Sequence, residues 1–156
     1  MLLNLYWNKK TGEILIPSVV KAEAGFWLDV EPVERASMSD RISLVKAIVS
    51  AFARGGEVVP TPPRDSHLKP VVLAHAKAKT WSAFARQYDQ ISIVRSSEGT
   101  FTIEQYKPAP EGRGLVVDVE ARRILPNRSS IDDLVDELSK LAQELNSEVS
   151  DLKKAE

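Results

Sequence analysis

QISIVRSSEGTFTIEQY, from Gln90 to Tyr106, reads as a β-hairpin. Ile91 and Ile93 on one arm, and Phe101 and Ile103 on the other, alternate with polar neighbours around RSSEG. Gly99 supplies the backbone freedom that the tight turn needs. Alternation of period two sends successive side chains to opposite faces of a sheet, so one face of this hairpin must be covered. A second stretch has the same form: LNLYW and EILIP, within residues 3–17, flank the polar turn NKKTG that ends at Gly12.

Working outward, a strand and a helix follow each hairpin. Leu28-Asp29-Val30-Glu31 recurs as Val117-Asp118-Val119-Glu120, each after a glycine and each about ten residues before a serine-capped amphipathic segment. Hairpin, strand and helix thus occur twice, in halves of about 1–56 and 89–156 joined by a linker at 57–88 that Pro60-Thr61-Pro62-Pro63 breaks. A spacing of about 90 residues is too long for a solenoid repeat. The expected fold is therefore a single α+β domain over residues 1–156, with antiparallel β-sheets and two long amphipathic helices, pseudo-duplicated.

The first long helix is expected over Ser39–Arg54, capped by Ser39 and ended by Gly55-Gly56, with Ile42, Val45, Ile48, Val49 and Phe52 on its apolar face. The second begins at Ser129 or Ser130. Its stripe is Ile131, Leu134, Val135, Leu138, Leu141, Ala142 and Leu145, continuing through Val149 and Leu152 toward turns that could project from the body. A short helix is expected from Thr80 to about Tyr88, burying Trp81 and Phe84. Trp7 and Trp27 are expected in the core.

Length and composition narrow the function classes. The chain has 156 residues, a net charge of -1 and no cysteine. Without thiols it has neither disulfides nor thiolate metal sites, which makes a cytoplasmic protein the expectation. The MLLNLYW start is too short for a signal peptide, and no apolar run approaches the ~20 residues of a membrane span. Bulk charge does not favour nucleic acid. Its distribution is uneven: Arg64–Arg95 holds six basic and two acidic residues, whereas Ser129–Glu156 holds eight acidic and three basic.

The side chains suggest little chemistry. His67 and His75 lack partners at metal-ligand spacing. No nucleophile elbow, Walker loop or dinucleotide glycine pattern is present, and Gly112-Arg113-Gly114 reads as a turn. Asp29 with Glu31, and Asp118 with Glu120, could each share a strand face and bind a cation, but a solvated face explains them as well. The interleaving of basic and aromatic residues in KTWSAFARQY, from Lys79 to Tyr88, would suit single-stranded nucleic acid.

From Lys79 to Leu141 the order of parts is more specific. Lys79, Trp81 and Phe84 form Lys-x-Trp-x-x-Phe; the hairpin ends in Tyr106-Lys107-Pro108; Gly112, Gly114 and Leu115 turn into an apolar strand; and Ile124-Leu125-Pro126 precedes the last helix. This block resembles the immunity proteins of contact-dependent growth inhibition, the CdiI family. The resemblance implies a Whirly-like layout and a protein that binds and neutralises the C-terminal toxin domain of a CdiA protein, a nuclease such as a tRNase. It implies no catalytic residue, no metal and no cofactor. The expected contact is the acidic start of the last helix, Asp132, Asp133, Asp136 and Glu137, laid over a basic toxin cleft. The alternative is a single-stranded nucleic-acid-binding module of Whirly-like fold.

Overall fold

The computed structural model describes residues 1–155, apart from the Lys153 side chain. Strands β1 (Leu2–Asn8), β2 (Glu13–Ala22) and β3 (Trp27–Ser37) precede helix α1 (Arg41–Arg54). Strand β4 (Val58–Val59) and the short helices α2 (Val72–His75) and α3 (Trp81–Ala85) follow. Strands β5 (Tyr88–Arg95), β6 (Phe101–Pro108), β7 (Leu115–Val117) and β8 (Arg123–Ile124) lead into α4 (Ile131–Lys154).

Both hairpins form as the alternation requires, β1 with β2 and β5 with β6. Gly12 and Gly99 adopt φ of 76° and 84° in their turns, a region that other residues rarely enter. The strands make one eight-stranded sheet in the order β3-β2-β1-β5-β6-β7, with β4 added parallel to β2 and β8 added antiparallel to β6. The order is the same read from either half. The first strands of the two halves pair along their length, from Leu2 opposite Val94 to Asn8 opposite Tyr88, and the third strands take the edges. The doubled layout thus exists as topology. The repeated tetrapeptides are not equivalent, however: Leu28–Glu31 lies inside β3, whereas β7 stops at Val117 and Asp118–Ala121 turns away. β3 pairs with β2 at nine of its eleven residues, around a bulge at Glu31-Pro32, while the second copy leaves β6 early and β8 returns to it.

The sheet has two covered faces. Leu3, Leu5 and Trp7 of β1 alternate with Asn4 and Tyr6, and only the first set meets the long helices. On that side Ile14, Ile16, Ile91, Ile93, Phe101 and Ile103 pack under Leu44 and Ile48 of α1 and Leu134, Val135, Leu138 and Leu141 of α4. Burying each such side chain contributes about 1.5–3 kcal/mol. On the reverse side Tyr6 and Leu15 pack against Val72 and Leu73 of α2, Phe84 of α3 and Tyr88. The segment expected as a linker therefore carries apolar anchors of its own.

Several expectations change in detail. Asp40, not Ser39, caps α1: its Oδ1 accepts from the Ser43 amide at 3.1 Å, and its charge suits the positive helix end better than a hydroxyl does. The buried face of α1 is Leu44, Ala47, Ile48, Ala51 and Phe52, while Ile42 and Val49 are exposed. The small alanines allow α1 to approach its neighbours closely. Tyr88 opens β5 rather than closing the short helix. Trp27 and Trp81, expected in the core, are 38% and 37% exposed. Trp27 lies on the edge strand with the Lys21 ammonium 5.6 Å from its ring. The stripe of α4 is as expected as far as Leu145, and Val149 and Leu152 are exposed beyond it.

Candidate partner interface

The acidic start of α4 is built by a capping box. Ser130 Oγ accepts from the Asp133 amide at 3.1 Å, and Asp133 Oδ2 accepts from the Ser130 amide at 2.7 Å. The Ser130 amide and hydroxyl, both donating to Asp133 Oδ2, hold this carboxyl below its ordinary range. Asp132 and Asp136 lie a turn apart and both receive Arg41 of α1, at 2.7 and 3.0 Å. Glu137 accepts from Arg123 of β8 at 2.8 Å and lies 3.6 Å from the Lys140 ammonium. Arg123 also reaches Glu144. The four carboxylates thus gather on one helix, and every one already has a partner within the chain. Glu156, the last residue of the acidic run, lies outside the described residues.

The strand carboxylates do not form a site. Asp29 accepts from Asn4 Nδ2 at 2.8 Å and from the Tyr6 hydroxyl at 2.5 Å. Burial raises the Asp29 carboxyl, and these two bonds only partly offset it. Glu31 instead meets His75 Nε2 at 2.7 Å, a bond that lowers its carboxyl. Asp118 accepts from Lys107 Nζ at 2.9 Å and is lowered by it. Among the described residues no cluster of His, Asp and Glu is arranged to hold a metal ion.

The reverse face of the sheet carries a different surface. Trp81 stands at the start of α3, where Thr80 Oγ1 accepts from the Ala83 amide at 3.2 Å. Its ring centroid is 5.2 Å from Phe84 and 6.2 Å from Tyr6; Phe84 in turn stacks on Tyr88 at 4.7 Å. The exposed indole is therefore held by two rings, with Tyr88 stacked behind Phe84. Lys69, Lys77, Lys79 and Arg86 lie on the same segment, all exposed and, among the described residues, none in an ion pair. Beside them lies a depression of about 580 Å³ lined by Pro70, Val71, Leu73 and Ala78 together with Lys69, Lys79 and Glu31. The sequence placed Trp81 in the core, while the basic and aromatic interleaving of Lys79–Tyr88 already marked this surface as a candidate for single-stranded nucleic acid.

No family model and no characterised protein matches the sequence. The fold does have solved counterparts. A protein of unknown function from Neisseria meningitidis superposes with a TM-score of 0.62 at 14% identity, over 90% of this chain and 92% of that one. A chain of the CdiA-CT/CdiI toxin and immunity complex from Yersinia pseudotuberculosis superposes with a TM-score of 0.57 at 15% identity, over 92% of this chain and 95% of that one. At such identities the likeness is one of fold.

No helix among the described residues is long and apolar enough to cross a membrane.

Proposed function

We propose that this chain is an immunity protein that binds and neutralises the C-terminal toxin domain of a CdiA protein, and that the toxin is a nuclease acting in the cytoplasm. The observation that carries this reading is agreement between two independent signals. The order of motifs from Lys79 to Leu141 resembles CdiI, and 92% of the chain superposes on a chain of a CdiA-CT/CdiI complex. The fate of the polar groups supports a binding role over a chemical one: Asp29, Glu31, Asp118, Asp132, Asp136 and Glu137 are engaged in bonds that hold elements together. An inhibitor needs only a complementary surface that occludes its target.

The test is expression of the toxin domain encoded beside this chain, with and without it. Rescued growth, intact RNA in toxin-expressing cells and one shifted peak in size exclusion are expected. Two independent peaks at micromolar concentration would overturn the reading. The second reading, a single-stranded nucleic-acid-binding module, is favoured by the exposed Trp81 among unpaired cations. It requires a salt-dependent shift with a single-stranded oligonucleotide.

Two surfaces of opposite sign now compete for the toxin, and they lie on opposite faces of the sheet. The acidic start of α4 would meet a basic cleft. The Trp81 segment would meet an acidic one.

A further inference from the structure

We propose that the toxin is seated on the reverse face of the sheet, with Trp81 as its central anchor and Lys77, Lys79 and Arg86 as the charged rim, and that the toxin surface meeting it is acidic. The inference rests on the immunity reading and deepens it by choosing between the two surfaces.

The state of the charges carries the choice. On α4 each carboxylate is already bonded from within: Arg41 bridges Asp132 to Asp136, Arg123 holds Glu137, and Asp133 closes the cap. A partner's cations would compete there with Arg41 and Arg123, which join α4 to α1 and β8. The cations of the reverse face have no such duty. Lys77, Lys79 and Arg86 fall within ten residues, are exposed and have no counter-ion among the described residues, on a chain whose net charge is -1. A partner's carboxylates would supply the counter-ions that these cations lack, speeding encounter and selecting the partner.

The anchor is prepared in the same way. Interface energy concentrates in a few rigid aromatic residues that fill a partner's pocket. Trp81 is half-exposed, yet its buried side leans on Phe84 and on Tyr6, and the Tyr6 hydroxyl is tied to Asp29 at 2.5 Å. The indole has little freedom left to lose when it binds. The neighbouring depression, where Pro70, Val71, Leu73 and Ala78 line the wall with Lys69, Lys79 and Glu31, offers apolar area that a protein side chain can fill.

The experiment measures binding of the adjacent-gene toxin domain to the wild type and three variants, each checked for an unchanged circular dichroism spectrum and a cooperative melt. Trp81→Ala should weaken binding by about 30-fold or more, the usual loss at an aromatic anchor. Lys77→Glu/Lys79→Glu/Arg86→Glu should slow association about tenfold at low salt and much less at high salt. Asp132→Lys/Asp136→Lys should bind within about threefold of wild type, since those side chains lie on the other face. If the first two variants bind like wild type, the proposal is overturned while the immunity reading stands. A wild-type chain that does not bind the toxin domain removes both. Wild-type binding to a single-stranded oligonucleotide that the triple reversal abolishes would assign this face to nucleic acid and overturn the proposal as well.

Discussion

The Tyr6 hydroxyl donates to Asp29 Oδ2 at 2.5 Å although β2 lies between their strands. Adjacent strands run about 4.8 Å apart, so the bond spans two spacings and depends on the reach of a tyrosine. Asn4 Nδ2 donates to the other oxygen of the same carboxylate, while Asn4 Oδ1 receives the Ser92 hydroxyl at 2.6 Å. The chain Asp29, Asn4, Ser92 therefore links an edge strand to the middle of the sheet through polar atoms alone, beside the rings that support Trp81.

This network has a pH signature. Burial raises the Asp29 carboxyl in the folded state, so folding favours its protonated form. Its contribution to stability therefore falls as pH rises from the ordinary aspartate value through the raised one. Replacement by Asn removes that dependence. Urea melts of wild type and Asp29→Asn, from about pH 4 to about pH 7, should show wild type losing ground to the variant as pH rises. A difference that grows in favour of wild type would mean that the bonds from Tyr6 and Asn4 outweigh burial.

Phe84 and Trp81 separate structure from recognition. Phe84 is 1% exposed between Tyr6 and Tyr88, and Phe84→Ala should cost about 3–5 kcal/mol. Trp81 keeps one side in solvent, and Trp81→Ala should cost about 1–2 kcal/mol because less apolar area is uncovered. Thermal melts of the two variants check the order, and equal losses would place Trp81 in the core after all.

The α1 face is tested by a matched pair. Leu44 is fully buried and Ile42 is 69% exposed. Leu44→Ala should cost about 2–5 kcal/mol. Ile42→Ala should change stability by less than about 0.5 kcal/mol, as surface changes usually do. Chemical denaturation of both distinguishes the observed face from the one expected on Ile42 and Val49.

The α4 cap makes a prediction local to one bond. Ser130→Ala removes the acceptor for the Asp133 amide and should cost about 1 kcal/mol. Ser130→Asp restores an acceptor at the helix start and should recover most of the loss. Failure of the aspartate to recover stability would show that the hydroxyl bond to Asp133 matters more than capping of the amide.

By itself the sequence determined what depends on near neighbours. The alternation in 3–17 and 90–106 was enough for both hairpins, because period two leaves an amphipathic ribbon only one way to bury its apolar side. The seven-residue stripe was enough for α4, with its start left between Ser129 and Ser130, of which the structure uses Ser130. The tertiary structure decided whatever depends on distant partners. The α1 segment RISLVKAIVSAFAR offers two overlapping apolar stripes, and the packing of the sheet and α4 selected one. The acidic cluster was legible as a cluster, but Arg41 lies 91 and 95 residues from Asp132 and Asp136, so no local reading shows that those charges are already matched. Trp81 and Phe84 sit one turn apart in equally apolar company. Only the fold, by giving Phe84 rings on both sides and Trp81 rings on one, made the first a core residue and left the second facing outward.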